Sequence, residues 1–386
     1  MSGLGFAALA LVVAAGLLGP MLAAAPALRI PMAVGEVFAG LVLGRTGFGV
    51  LDSGDRTFTL LANIGFALVM FVVGTHVPIR QMAKAAIPSG AARALLVGLP
   101  ATGLALLLAG VFHTGNAAVY AVLMASSSAA IALPIIQGLR LHGSASRPVG
   151  AVTAQIAIAD SACIILLPLV IDPPRAVDTA LGALAVAISA AGLYAALKYA
   201  DKRGALHKLH RYSEDEHMAL ELRISLLVLF TLCALAIATK VSIMLAGFAI
   251  GLVVNAVGEP RRLARQLFGI TEGFFAPLFF VWLGASLQVR ELLQHPAFLG
   301  LGVALGVGAV LAHSVLRLRG QPLVLAALAS AQLGVPVAAA TLGTESHLLA
   351  PGEPSALILG ALITIVAASI GGRVAPRTLQ AGADPA

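Results

Sequence analysis

The chain has 386 residues, 59% of them hydrophobic and 11% charged, with a mean hydropathy of +0.99 and a formal net charge of +7. Apolar runs of roughly 20 residues recur from end to end, which excludes a soluble globular domain and marks an all-α polytopic membrane protein. The positive charge is spread over short loops between those runs, so it reads as a topology signal and not as a nucleic-acid surface.

Breaking the chain at loops, prolines and charge clusters predicts thirteen spans, at 4–25, 31–50, 57–76, 86–112, 116–137, 147–170, 177–199, 218–239, 241–257, 267–288, 297–316, 321–343 and 354–373. The first ends in MLAAAPA, which resembles a signal-peptidase site. It has no Lys or Arg before Arg29, so it reads as an uncleaved helix with its N-terminus outside. On that orientation the inner loops carry Arg29; Arg80, Lys84 and Arg93; Arg140 and Arg147; the basic residues of Lys198 to Arg211; Arg261, Arg262 and Arg265; Arg317 and Arg319; and Arg373 and Arg377. The outer loops carry only Arg45, Arg56, Arg175, Lys240 and Arg290. This asymmetry supports the orientation, with a cytoplasmic C-terminus in a cell inner (plasma) membrane.

One sizeable polar stretch, Lys198 to His217, divides two similar halves. GEVFAGLVLG (35–44) aligns with AGFAIGLVVN (246–255), FALVMFVVGTHV (66–77) with APLFFVWLGASL (276–287), and MASSSAAIALP (124–134) with LASAQLGVPVA (328–338). With spans 1–6 and 8–13 as the units, the seventh is an odd connector and the second unit runs opposite to the first. Inverted repeats place a substrate site near the midplane, among helices interrupted at matching places. The fifth and twelfth spans fit that description.

The sixth span, RPVGAVTAQIAIADSACIILLPLV (147–170), holds one acid near its centre, Asp160. A charge there costs about 2.5 to 3.5 kcal/mol on insertion scales, so such a residue marks an ion path. Thr153 is two turns away on the same face and either lines the inner approach or bonds its own backbone; Gln155 points elsewhere. In the fifth span Ser126, Ser127 and Ser128, followed by Pro134, offer hydroxyls and freed carbonyls of the kind hard alkali cations take. Ser330, Gln332, Gly334 and Pro336 offer the same in the twelfth. For both sets the other reading is close packing of small residues. Glu36 and Glu272, each a short way into its span, are candidates for a cytoplasmic mouth, and Glu272 is also near enough to Arg261, Arg262 and Arg265 for an ion pair. His313 lies near the inner end of the eleventh span; His207, His210 and His217 read as pH sensors or, more commonly, solvated loop residues. Asn63 reads as an interhelical hydrogen bonder, and Cys163 and Cys233 as packing residues. No phosphate loop, GxSxG or HExxH is present, so the sequence points to no enzyme, cofactor or resident metal.

The chain resembles the monovalent cation:proton antiporter-2 family of the sodium/proton exchanger superfamily, over nearly its whole length. The resemblance is carried by PMAVGEVFAGLVLG (31–44), SSAAIAL (127–133), the Asp of the sixth span and PLFFVWLGASL (277–287). It implies two broken, crossing helices beside Asp160, and proton and cation (Na+ or K+) competing for that carboxylate. It also implies a homodimer, with a dimerisation domain over 1–76 and 218–288 and a core domain over 77–170 and 289–373. Residues 171–217 then form a linker helix and inner loop, and 374–386 a cytoplasmic tail too short for the nucleotide-binding domain of potassium-efflux relatives. The chain departs from the family pattern at Ala159, Ala129 and Val335, and its eleventh span lacks the midspan Lys of electrogenic members; the expected exchange is therefore electroneutral. A cation-coupled symporter on the same fold, and a non-transporting membrane sensor or scaffold, remain as alternatives.

Overall fold

The computed structural model of the chain describes residues 5–24, 32–77, 86–139, 147–216, 218–258, 261–287 and 289–381. Arg29, Arg80, Lys84, Arg140 and His217 lie outside the described residues, as do the side chains of Pro134, Arg147, Arg175, Arg261 and Arg377. Among the described residues every regular element is helical. In chain order they are α1 (Phe6–Gly16), α2 (Leu18–Ala24), α3 (Met32–Leu43), α4 (Arg56–His76), α5 (Ala86–Val111), α6 (Ala117–Ala125), α7 (Ala129–Gly138), α8 (Arg147–Ile171), α9 (Ala176–Lys202) and α10 (Ala205–Asp215). There follow α11 (Leu220–Ala238), α12 (Ile243–Val257), α13 (Arg261–Ile270), α14 (Ala276–Ser286), α15 (Val289–Gln294), α16 (Pro296–Ser314), α17 (Leu323–Ala329), α18 (Gly334–Glu345) and α19 (Glu353–Ala381). Ten helical stretches are long and apolar enough to cross a membrane. Three shorter apolar ones, Met32–Leu43, Ala117–Leu133 and Ile243–Val257, fall where the second, fifth and ninth spans are predicted.

The outward faces are apolar. Leu95, Leu99, Leu106 and Leu107 line the outside of α5 and are all exposed, a surface that water would not tolerate and acyl chains would. Because lipid is as apolar as leucine, the helices must hold one another by close packing, and glycine supplies it. A Cβ on Gly40 of α3 would overlap the Val281 carbonyl of α14, and one on Gly284 of α14 would overlap the Val37 carbonyl of α3. The other half repeats the contact: Gly251 of α12 abuts the Phe71 carbonyl of α4, and Gly74 of α4 abuts the Phe248 carbonyl of α12. In the repeat alignment Gly40 corresponds to Gly251 and Gly74 to Gly284, so one helix-pair contact is used twice, with the halves exchanging partners. Phe66 of α4 and Phe279 of α14 stack between these pairs, ring centroids 4.8 Å apart. The second group of helices follows the same rule, α5 packing on α6 and α8 as α16 packs on α17 and α19.

Three predicted features come out differently. The polar stretch Lys198 to His217 is largely helical: α9 runs on to Lys202, and α10 carries Leu206 and Leu209 one turn apart on its apolar side. His210 is therefore not a loop residue; its Nδ1 lies 2.7 Å from Glu221 Oε1, while Ser213 Oγ donates to Oε2 at 2.6 Å. The tenth span begins earlier than predicted, with the amphipathic α13, and continues into α14 through a π-helical turn at Thr271–Phe275. Such turns insert an extra residue into a helix and re-aim the side chains around it. Asn63 is exposed and makes no interhelical bond among the described residues.

Candidate ion-binding site

Both predicted interruptions are present. Between α6 and α7 the chain is extended at Ser126 (φ −72, ψ 155) and Ser128 (φ −118, ψ 109), and between α17 and α18 it leaves the helix from Ser330 to Leu333. The two breaks touch, Ser127 Oγ donating to the Ala329 carbonyl at 2.6 Å. Ala329 ends α17, so its carbonyl is one of those a helix leaves without an internal partner. Neither proline makes the break. Pro134 is the sixth residue of α7 and Pro336 the third of α18, both inside the new helix, while Gly334 is the first residue of α18. The chain leaves the helix earlier because side chains from other elements satisfy the freed backbone groups.

Asp160 is the most important of those side chains. It is buried on α8, 5% exposed, and its Oδ2 accepts the N–H of Ala129, the first residue of α7, at 2.9 Å. The carboxylate thus caps a helix N-terminus, where free N–H groups favour negative charge. No basic side chain forms an ion pair with it among the described residues. Ser128, whose ψ aims Ala129 at Asp160, is buried, and its hydroxyl has no hydrogen-bond partner among the described residues.

The remaining candidates are dispersed around this centre. Ser126 Oγ donates to Leu123 O at 2.7 Å, Ser330 Oγ to Ala327 O at 2.8 Å and Thr153 Oγ1 to Val149 O at 2.9 Å, each within its own helix. Each keeps its oxygen lone pairs. Gln332 is buried in the second break; its backbone N–H donates to Thr364 Oγ1 at 3.1 Å and its Nε2 has no partner among the described residues. Gln155 is fully buried with neither amide atom bonded among the described residues. His313 is fully buried at the crossing, its Nε2 3.4 Å from Ser127 Oγ. Glu36, 5% exposed, packs against Gly19 and lies within electrostatic range of the half-buried Glu272. Glu272 forms no ion pair with Arg262 or Arg265.

Two buried acids escaped the sequence reading, Glu221 on α11, described above, and Glu353. Glu353, 1% exposed at the start of α19, accepts Asn116 Nδ2 at 2.7 Å, Tyr120 Oη at 2.5 Å and the Ala350 N–H at 2.9 Å. It ties the start of α6 to the start of α19. Its signal was an acid immediately before a predicted span, which reads as a loop charge until its partners are known. Among the described residues no group of three His, Cys, Asp or Glu side chains is placed to hold a metal ion, and Cys163 and Cys233 are buried free thiols.

Residues 11–375 match the family described as "Sodium/hydrogen exchanger, transmembrane". The chain is 27% identical over 388 residues to the putative Na(+)/H(+) antiporter YjbQ of Bacillus subtilis, an alignment covering 93% of this chain and 61% of that protein. It is 29% identical over 310 residues to the Na(+)/H(+) antiporter NhaS5 of Synechocystis, covering 76% of this chain and 42% of that protein. The chain therefore spans less than two thirds of the length of these curated relatives. Among solved structures, the sodium proton antiporter MjNhaP1 of Methanocaldococcus jannaschii at pH 8 is similar with a TM-score of 0.64 and 16% identity, over 96% of this chain and 97% of that one. That likeness is one of fold.

Proposed function

The chain belongs to the sodium/hydrogen exchanger family, a family of multi-pass membrane proteins, and from that premise we propose that it exchanges sodium for protons across a membrane, with Asp160 carrying each in turn. The observation that carries this reading is a buried carboxylate, with one amide donor and no basic partner among the described residues, where two broken helices meet. An ionised carboxylate without a counter-charge is costly in that setting. A proton cancels the charge by bonding to it, and sodium by ligation. The site therefore crosses the low-dielectric barrier only when loaded, and that condition couples the two flows. Sodium finds hard oxygen ligands in Asp160, the Ser128 hydroxyl and the unpaired carbonyls of the two breaks. With one carboxylate at the crossing among the described residues, exchange is one for one and electroneutral.

The movement that exposes the site alternately is a displacement of the α5–α8 and α16–α19 group against the group holding α3, α4, α12 and α14. An apolar seam lined by Val37, Leu283, Leu333 and Ile358 separates them at one point. Such a seam offers no directional bonds to break as one group slides on the other. The names of the two curated relatives support sodium as the cation.

The test is sodium-driven proton flux by the purified protein in liposomes, read with an enclosed pH dye. An outward sodium gradient should drive protons inward; flow of both in the same direction would identify a symporter, and no flow a sensor or scaffold. Asp160→Asn, nearly isosteric but unable to bind and release the proton, should abolish the flux while melting and eluting like the parent. Wild-type flux in that variant would remove Asp160 from the mechanism.

A further inference from the structure

The Ser127 hydroxyl has one proton and two acceptors in front of it, Ala329 O at 2.6 Å and His313 Nε2 at 3.4 Å. The other ring nitrogen of His313, Nδ1, lies 3.1 Å from Ala309 O. A carbonyl can only accept, so Nδ1 carries the ring proton, and Nε2 of the neutral imidazole is a bare acceptor. His313 is fully buried on α16. A bare acceptor in that position is costly unless something comes to donate to it, and in the described arrangement the Ser127 proton is pointed the other way.

Sodium binding supplies a reason for it to turn. Oxygens that ligate one hard cation at about 2.3 to 2.6 Å present lone pairs to it and stand roughly 3 Å or more apart. Ser127 Oγ and Ala329 O are closer than that because a proton lies between them. For both to face one ion, that hydrogen bond must open and the serine proton must find another acceptor.

We infer that His313 is a positioning residue for sodium: neutral Nε2 receives the Ser127 hydroxyl proton when the ion separates Ser127 from Ala329, leaving both oxygens free to ligate. The proton stays on the serine throughout; only its hydrogen bond moves, so no charge is gained or lost. The break-to-break hydrogen bond then belongs to the sodium-free site and the Ser127–His313 bond to the sodium-loaded one. This rests on the exchange reading above and deepens it. If the wild type carries no sodium-driven flux, that reading fails; a negative result at His313 in an active protein removes only this inference.

The experiment measures exchange rate against sodium concentration in proteoliposomes, together with sodium-induced thermal stabilisation of the purified protein. His313→Leu, which has no acceptor, should raise the half-saturation value roughly fivefold, the effect of one hydrogen bond, with little change in maximal rate. His313→Gln, whose amide oxygen reaches the Nε2 position, should stay close to the wild type. His313→Asn, which reaches only the Nδ1 position, should behave like Leu; the Gln and Asn pair carries the test if the Leu variant does not fold. In a Ser127→Ala background, His313→Leu should add nothing further, because the donor is already gone. Half-saturation values unchanged in the Leu and Asn variants, Gln no better than Asn, or full additivity with Ser127→Ala would each overturn the inference.

Discussion

The N–H of Ala129 donates to Asp160 Oδ2 at 2.9 Å across 31 residues of sequence, so the start of α7 and the acid of α8 hold each other in place. On the exchange proposed above, the ionised carboxylate is the form that takes sodium, and the amide bonds its Oδ2. Proline is well tolerated at the first position of a helix, and Ser128 before it is already extended, as a residue preceding proline must be. Ala129→Pro therefore deletes one donor and leaves the backbone path intact. We expect the sodium half-saturation value at fixed pH to rise about tenfold, the worth of a hydrogen bond of about 1.5 kcal/mol to a charged group. An unchanged value would mean that the amide ends a helix and does nothing for the ion.

The all-helical, membrane-spanning character of the chain and the matching glycines of its two halves were legible because they rest on hydropathy and glycine spacing, which are local and repeat. Asp160 was legible for the same reason: an acid inside an apolar span is costly wherever its partners are. The position of the breaks was not. Proline is the visible helix breaker, yet the chain parts at Ser126 to Ser128 and again from Ser330, where Asp160 and Ser127 replace helical bonds from across the fold. Glu353 was missed because its donors, Asn116 and Tyr120, lie more than 230 residues earlier in the chain.

The paired glycines make a prediction about stability. A Cβ at Gly284 meets the Val37 carbonyl, a backbone atom that no rotamer change can move, whereas a Cβ at Gly98 of α5 meets open space. Gly284→Ala should cost about 3 kcal/mol or more, at the upper end of overpacking penalties, and Gly98→Ala should cost nothing measurable. Thermal unfolding of the two variants in the same detergent checks this directly. Equal melting temperatures would show that α3 and α14 can part without loss.

Tyr120 donates to a carboxylate that already holds two other donors, Asn116 and Ala350. Tyr120→Phe should therefore lower stability by only about 1 to 2 kcal/mol and leave the sodium dependence of exchange unchanged, because Glu353 joins helix starts and lies outside the crossing of the breaks. A variant that melts like the parent but exchanges poorly would place Glu353 on the ion path instead.

Voltage tests the count of charges that move. Asp160 is the one carboxylate at the crossing among the described residues, and on the inference above His313 turns a serine proton without taking one up. The loaded site is then neutral in both directions, with a proton one way and a sodium ion the other. A membrane potential is worth about 2.3 kcal/mol per charge per 100 mV, so a cycle that moved one net charge would have its stopping point displaced by nearly two orders of magnitude in ion gradient. The measurement imposes a potassium diffusion potential on proteoliposomes and finds the sodium gradient at which net exchange stops. That gradient should equal the proton gradient at every voltage. A stopping point that shifts with voltage would mean that a second group shares the load, and repeating the measurement in His313→Gln and in Glu272→Gln would identify it as the variant that restores voltage independence.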